Sequence, residues 1–199
     1  KNKAFKELYK NYGEDIVKKV LNHHKNNTGI SRFEKIKFYN KNYLNLYDDK
    51  FHNDKFLKNF SELNLKFVFK SNLVKGFLDF INQIYDNYDL YISTGTPTGE
   101  AKIILNKKRI LRKFIKIFGS PETKISHLKE IISKYPNTDL SNFYFFGDSL
   151  VDYEAAQTFN FKFILRCHDE NKILQKKDNI YFNFKNYYDS SLLKLFYNS

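Results

Sequence analysis

Apolar residues recur every three or four positions along the first 70 residues, with polar side chains, many of them lysine, between them. This is the spacing of amphipathic helices. Two such stripes lie on either side of Gly13: Phe5, Leu8 and Tyr9, then Ile16, Val17, Val20 and Leu21. Only residues 65–69 resemble an alternating strand. Residues 1–70 are therefore predicted to form a small helical domain.

A further helix is predicted after a polar break at residues 23–29. Ser31 and Glu34 match a capping box, in which the serine hydroxyl accepts a hydrogen bond from the backbone N–H of Glu34 while the glutamate reaches back. We expect a helix to begin there and to run through Phe38 and Tyr39.

From about residue 71 the pattern changes to short apolar runs that alternate with helical stretches. The runs at 88–92, 143–146 and 161–165 are typical of strands covered on both faces. Helices are predicted at 73–84, 99–114, 122–134 and 151–158. This order predicts an α/β fold with an open parallel sheet. Ligands of such sheets bind beyond the carboxyl ends of the strands, so the residues after each run are the candidates for a site.

The charge of the chain favours an anionic ligand. The 199 residues contain 34 Lys and Arg against 22 Asp and Glu, a net charge of +12, and residues 1–70 hold 16 of the basic and 8 of the acidic side chains. Such a surface attracts anions such as polynucleotides, acidic lipids or small phosphates. No run approaches the roughly 18 apolar residues of a membrane span, and there is a single cysteine. We therefore expect a soluble, cytoplasmic protein without a membrane partner.

The first candidate segment follows the run at 88–92. Ser93 and Thr94 offer hydroxyl and backbone N–H groups there, and Thr96 with Pro97 is predicted to cap and open the next helix. Ordinary turns also contain such clusters, so this segment alone leaves a binding role open.

The second candidate segment contains Lys124. Ser120 and Pro121 are predicted to cap and open a helix, which puts Lys124 near its amino end. A cation is unfavourable beside the positive end of a helix dipole unless an anion lies close by. Lys124 is therefore either an anion ligand or a solvated surface lysine.

The third segment follows the run at 143–146 and contains two carboxylates. Asp148 and Asp152 are four residues apart and would share one helix face, where a divalent cation would relieve their repulsion. Carboxylates with few other ligands suit Mg²⁺. The alternative is that Asp148 only caps the helix and Asp152 only complements its dipole.

In order and spacing, the three segments resemble motifs II, III and IV of the haloacid dehalogenase (HAD) superfamily of phosphohydrolases. The resemblance is closest to the branch of phosphoglycolate phosphatase and β-phosphoglucomutase, and it covers residues 71–166. It implies a HAD-like Rossmannoid core over residues 71–199 and a helical cap domain over residues 1–70.

The resemblance also implies roles for individual residues. Thr94, or Ser93 beside it, takes the place of the hydroxyl that binds the transferring phosphoryl group. Lys124 takes the place of the lysine that neutralises this group, and Asp148 and Asp152 take the place of the acids that hold Mg²⁺. The implied function is Mg²⁺-dependent hydrolysis of a small phosphate monoester, such as a sugar phosphate or phosphoglycolate, through an aspartyl-phosphate intermediate.

Further substrate contacts are predicted from Gly95 and, in the cap, from Arg32, with His23 and His24 as additional candidates. The alternative for Arg32 and the histidine pair is an ordinary solvated surface, because long basic side chains normally lie in solvent. A phosphomutase shares the same core and is the less favoured reaction.

Motif I of the family supplies the nucleophile and the general acid/base as an Asp-x-Asp sequence, and in these 199 residues no aspartate is followed two positions later by another. The family carries this motif on a strand in the middle of its sheet, and loss of that strand would leave two unpaired edges. We therefore expect a strand with its flanking turns, about 10–25 residues, ahead of Lys1. Without it the chain is expected to be inactive by this route.

The alternative from a different class is a catalytically inactive scaffold that binds nucleic acid or an acidic protein through its basic cap. Residues 35–47 interleave aromatic side chains with lysine, as base stacking combined with phosphate contacts requires. These residue types are abundant throughout the chain, so nucleic acid is the less favoured partner and a small phosphorylated substrate is the favoured one.

The expected upstream segment gives the first prediction. Protein isolated from its native source should have an intact mass above the 23.9 kDa of these 199 residues. A measured mass equal to 23.9 kDa would contradict the expectation.

Overall fold

The computed structural model describes residues 1–27, 30–46 and 50–197, apart from the side chain of Tyr197. The chain divides into two compact units. The first contains Lys1–Asn72 and Gly99–Arg109, and the second contains Leu73–Thr98 and Ile110–Ser199. No helix among the described residues is long and apolar enough to cross a membrane.

The first unit is helical in its described part. Its helices are α1 (Asn2–Tyr9), α2 (Glu14–Asn26), α3 (Arg32–Tyr43) and α4 (Lys50–Lys70), and most of α6 (Thr98–Lys107) also belongs to it. Aromatic rings of Phe5, Tyr9, Tyr39 and Phe60 form the centre of its core. Residues 65–69, whose sequence resembles an alternating strand, are helical, because α4 continues to Lys70.

The polar break predicted at 23–29 is helical over its first four residues. Helix α2 continues to Asn26, and His24 packs on the ring of Phe5 with the ring centroids 4.7 Å apart. Thr28 and Gly29 lie outside the described residues. The cap at Ser31 is confirmed, since its hydroxyl accepts from the N–H of Glu34 at 3.2 Å.

The segment at 35–47 is exposed only in part. Lys35 and Tyr39 are both buried, with 2% and 0% of their surfaces exposed, while Tyr47 lies outside the described residues. The Lys35 ammonium lies 2.8 Å from Nδ1 of His24. Burial lowers the pKa of Lys35 to about 8. Burial, with the Lys35 charge beside it, lowers the pKa of His24 to about 3, so the histidine is neutral.

The second unit is built on parallel strands with helices around them. The strands are β1 (Tyr91–Pro97), β2 (Lys116–Ser120), β3 (Tyr144–Gly147), β4 (Lys162–Arg166) and β5 (Phe182–Phe184), and the helices are α5 (Phe77–Ile84), α7 (Lys124–Ile132), α8 (Leu150–Thr158) and α9 (Ser190–Tyr197). Among the described residues the strands form two parallel sheets, of order β1-β2 and β3-β4-β5. The predicted α/β class with parallel strands is confirmed.

Two core clusters cover the two faces of β3. Phe145 packs into the cluster that contains residues of α7 and α8, while Tyr144 and Phe146 pack into the cluster that contains residues of α5 and α9. Successive side chains of a strand point to opposite faces. The strands of this unit therefore lie between two helical layers, which explains their continuously apolar sequences.

The positions predicted for the first residues of the helices that follow β1 and β2 are wrong. In β1, Ser93 lies opposite Phe118 and Pro97 lies opposite Ser120, so the strand is irregular between them and continues to Pro97. Thr96 therefore caps no helix, and α6 begins at Thr98. Ser120 likewise belongs to β2, and the cap of α7 is Thr123, whose hydroxyl accepts from the N–H of Ser126.

The buried His24 makes the stability of the protein depend on pH. Because the pKa of His24 in the folded chain is below its value of 6.5 in the unfolded chain, protonation favours unfolding. The free energy of unfolding is therefore unaffected by this residue above pH 6.5 and falls as the pH is lowered towards 3. Between pH 6.5 and 5 the expected loss is about 2 kcal/mol. His24→Gln should remove this part of the pH dependence in urea unfolding followed by circular dichroism.

The matched control for this prediction is His52→Gln, since His52 lies in an exposed part of α4. It should keep the pH dependence of the unmodified chain. Equal slopes of stability against pH for His24→Gln and the unmodified protein would contradict the prediction.

Candidate active site

Lys124 lies at the centre of a polar cluster formed by β1 and the β3–α8 turn. It is the first residue of α7, which begins there because Thr123 caps it. Its ammonium donates to the backbone carbonyl of Ser93 at 3.0 Å and pairs with Oδ1 of Asp152 at 2.7 Å. The side chains of Lys124 and Asp152 are 17% and 9% exposed, so the pair is largely shielded from water.

Asp152 is fixed by the turn that connects β3 to α8. Ser149 caps α8 and forms a capping box with Asp152. Oδ2 of Asp152 accepts from the Ser149 hydroxyl at 2.6 Å, from the Ser149 N–H at 3.1 Å and from the Asp148 N–H at 3.2 Å. A Cβ on Gly147 would lie 2.3 Å from Cβ of Asp152, so this turn requires glycine.

Asp148 presents the more open carboxylate of the two. Its side chain is 52% exposed, and its Oδ2 lies 3.9 Å from Nη1 of Arg166 and 3.7 Å from Nε2 of His168. Nδ1 of His168 accepts from the N–H of Glu170 at 3.2 Å, so a neutral ring carries its hydrogen on Nε2, towards Asp148. The alternative prediction that Asp148 caps α8 is wrong, because Ser149 does so.

Ser93 and Thr94 differ in what their hydroxyl groups contact. The Ser93 hydroxyl lies 2.9 Å from Nδ1 of His127, a buried ring stacked on Phe118. Burial lowers the pKa of His127, and its Nε2 is buried without a hydrogen-bond partner. Oγ1 of Thr94 accepts from the N–H of Thr96 at 3.2 Å, which leaves the hydroxyl hydrogen of Thr94 available to donate.

Arg32 is not the ordinary solvated side chain of the alternative interpretation. It is 6% exposed within the first unit. Its guanidinium pairs with Glu100 at 2.7 Å, donates to the Ser61 hydroxyl at 3.0 Å and lies 5.0 Å from the ring centroid of Phe60. These contacts, made by Nη1 and the guanidinium face, tie α3 to α4 and α6, while Nη2 is buried without a hydrogen-bond partner.

Comparison with known families identifies the family of the chain. A family model described as haloacid dehalogenase-like hydrolase matches residues 2–166. The chain belongs to this family. No protein of curated function matches it with significant similarity.

Several solved structures share the fold of this HAD-like hydrolase. A HAD hydrolase from Bacillus subtilis bound to magnesium is 15% identical, with a TM-score of 0.70 over 98% of this chain and 90% of that one. A β-phosphoglucomutase from Clostridium difficile is 16% identical, with a TM-score of 0.70 over 98% and 88%. A protein designated a phosphoglycolate phosphatase, from Lactobacillus plantarum, is 16% identical, with a TM-score of 0.72 over 97% and 89%.

Of the two carboxylates in this HAD-like site, that of Asp148 is the one suited to bind Mg²⁺. Both oxygens of Asp152 are engaged, Oδ1 by Lys124 and Oδ2 by three donors of the β3–α8 turn. Asp148 keeps a half-exposed carboxylate. Within residues 1–27, 30–46 and 50–197 no three His, Cys, Asp or Glu side chains form a metal site. Mg²⁺ needs only one or two carboxylates when waters and a substrate phosphate complete its shell.

Sequence reasoning missed four residues of this cluster, namely Ser149, His127, Arg166 and His168. Arg166 and His168 follow the apolar run of β4, so the rule that ligands bind beyond strand ends would have found them. His127 is three residues from Lys124, on the same helix face. Its contact with Ser93 depends on the packing of α7 against β1, which local sequence does not encode.

The tight β3–α8 turn gives the second structural prediction. Gly147→Ala would force the Cβ and Cγ of Asp152 away from their present positions, where the new methyl would lie 2.3 and 2.8 Å from them. We expect a loss of stability of about 1–3 kcal/mol in urea unfolding. Gly95→Ala is the control, since a methyl there meets nothing within 4 Å. Equal stabilities of the two variants would contradict the assigned geometry.

Proposed function

We propose that this HAD-like hydrolase is a Mg²⁺-dependent phosphatase that acts on a small phosphate monoester. The observation that supports this most directly is the Lys124 ammonium beside the Ser93 carbonyl and the Asp152 carboxylate, with the half-exposed Asp148 on the adjoining turn. An ammonium fixed against the turn that carries an open carboxylate suits a ligand that combines a phosphoryl group with a cation.

Several groups of the chain would bind the phosphoryl group, each in a different way. Lys124 supplies positive charge, and Asp152 keeps the ammonium in place. Thr94 donates its free hydroxyl hydrogen to a phosphoryl oxygen, while Ser93 is engaged by His127. The exposed backbone at Gly95 lies beside them and is the further phosphate contact. Donors fixed before the substrate arrives stabilise developing charge without reorganisation.

Asp148 is the proposed ligand of the Mg²⁺ ion. When bound, the ion neutralises charge on the transferring phosphoryl group. In its absence the Arg166 guanidinium and the His168 ring face this carboxylate. Asp152 contributes indirectly, by accepting the N–H of Asp148 and so fixing the backbone that carries the ligand.

The resemblance to the family implies an aspartate nucleophile, which we place outside residues 1–199 because they contain no Asp-x-Asp sequence. In this proposal that aspartate attacks phosphorus, the P–O bond to the alcohol breaks, and a second acid protonates the leaving oxygen. Water then attacks the aspartyl-phosphate and releases inorganic phosphate.

The test uses protein produced from its native gene and an aryl phosphate as substrate. Asp148→Asn should lower Mg²⁺-dependent kcat by about 100-fold or more, since it weakens the proposed metal ligand. Asp79→Asn is the matched control, because Asp79 is an exposed acid on α5. Unchanged Mg²⁺-dependent phosphate release by Asp148→Asn would contradict the proposed function.

A further inference from the structure

Strand β1 contains a bulge at the candidate site. After the pair Ser93–Phe118, residues 94–96 of β1 face a single residue of β2, Gly119, before the two strands pair again. A bulge interrupts the ladder of backbone hydrogen bonds, and bulges next to active sites turn a side chain in a new direction. Thr94 lies in this bulge, so strand pairing alone does not fix the backbone that presents its hydroxyl.

Two contacts within the strand pair hold the far side of the bulge. Oγ1 of Thr94 accepts from the N–H of Thr96 at 3.2 Å. The backbone of Thr96 lies directly on Gly119, where a Cβ would be 2.3 Å from the Thr96 carbonyl oxygen. Both contacts fix Thr94 relative to the residues that follow it. The peptide bond that joins Ser93 to Thr94 has to be fixed by other groups.

Helix α7 holds that peptide bond through two atoms of Ser93. The Lys124 ammonium donates to the Ser93 carbonyl at 3.0 Å, and Nδ1 of His127 lies 2.9 Å from the Ser93 hydroxyl. Lys124 and His127 are three residues apart and so share one face of the helix. Because the Ser93 carbonyl is in the same rigid plane as the N–H of Thr94, these two contacts fix the direction in which the chain enters the bulge.

The ring of His127 is itself held in place. It is 3% exposed and stacks on Phe118, the residue opposite Ser93, with centroids 5.2 Å apart and planes at 28°. Burial lowers the pKa of His127, so the ring is neutral, and a neutral imidazole nitrogen bonds a hydroxyl as donor or as acceptor. An apolar side chain would also pack on Phe118. What the histidine adds is the hydrogen bond to Ser93.

We propose that His127 is a positioning residue of this hydrolase, which acts through the Ser93 hydroxyl to keep the β1 bulge in the shape that aims Thr94 at a phosphoryl oxygen. This assigns Ser93 to the scaffold and Thr94 to the ligand. Displacement of a reacting or binding group by about 1 Å lowers rates by about 100-fold. The inference rests on the proposed function, because the role of Thr94 belongs to it.

The first test follows the bulge without catalysis, by amide hydrogen exchange of protein produced from its native gene. His127→Leu keeps an apolar side chain on Phe118 and loses the hydrogen bond, so exchange at residues 94–96 should be about 2- to 10-fold faster. Ser93→Ala removes the same bond from its other end and should have the same effect. Exchange at residues 128–132 should not change, which separates a local effect from unfolding.

Two further variants separate the hydrogen bond from packing. His127→Asn places a polar atom close to the position of Nδ1 and should restore slow exchange at residues 94–96. His52→Leu is the matched control, since it makes the same substitution in an exposed part of α4. It should leave exchange at the bulge unchanged.

The second test measures Mg²⁺-dependent hydrolysis of an aryl phosphate by the same variants. His127→Leu should lower kcat by about 10- to 100-fold with KM changed by less than about twofold, because misaligned donors stabilise the transition state poorly. His127→Asn should keep kcat within about threefold of the unmodified enzyme. The double variant Ser93→Ala with His127→Leu should be no slower than His127→Leu, because both substitutions remove one bond.

Several results would overturn the inference. These are unchanged exchange at residues 94–96 in His127→Leu, unchanged kcat in that variant, equal losses in His127→Asn and His127→Leu, or losses that multiply in the double variant. A different result would count against the proposed function: no phosphate release by the unmodified protein. It would remove the catalytic role of His127 as well, while the exchange rates would still show whether the ring holds the bulge.

Discussion

The ion pair between Lys124 and Asp152 holds the candidate site together. It joins the first turn of α7 to the first turn of α8, and the same ammonium bonds the backbone of β1 at Ser93. Lys124 at the amino end of a helix is electrostatically unfavourable on its own, and the shielded carboxylate offsets this. Loss of one partner from a buried pair typically costs about 3–5 kcal/mol, because the other charge is left without compensation.

This arrangement separates the two carboxylates that the sequence treats as equivalent. Asp152 contacts only groups of the protein: its Oδ1 pairs with Lys124, and its Oδ2 accepts from the turn that Ser149 caps. Asp148 is half-exposed, and its Oδ2 lies 3.9 Å from Nη1 of Arg166 and 3.7 Å from Nε2 of His168. One acid therefore maintains the shape of the turn, and the other keeps a carboxylate open to solvent.

The first unit uses part of its positive charge internally. Arg32 pairs with Glu100, and Lys35 bonds a neutral His24 in a core of aromatic rings. Long basic side chains are normally exposed, whereas Arg32 and Lys35 are buried. The net charge of a segment thus measures its attraction for anions at a distance but does not say which cations reach solvent.

The sequence by itself determined the elements whose signals are local: the amphipathic helices of the first unit, the apolar runs of β3 and β4, and the cap at Ser31. It also brought Lys124, Asp148 and Asp152 to strand ends. Only the tertiary structure decided that β2 and β5 are strands, because their short sequences carry no distinctive period and their pairing depends on β1 and β4. It alone decided that Lys124 binds Asp152 and that His127 meets Ser93, since each contact joins residues about 30 positions apart that only packing brings together.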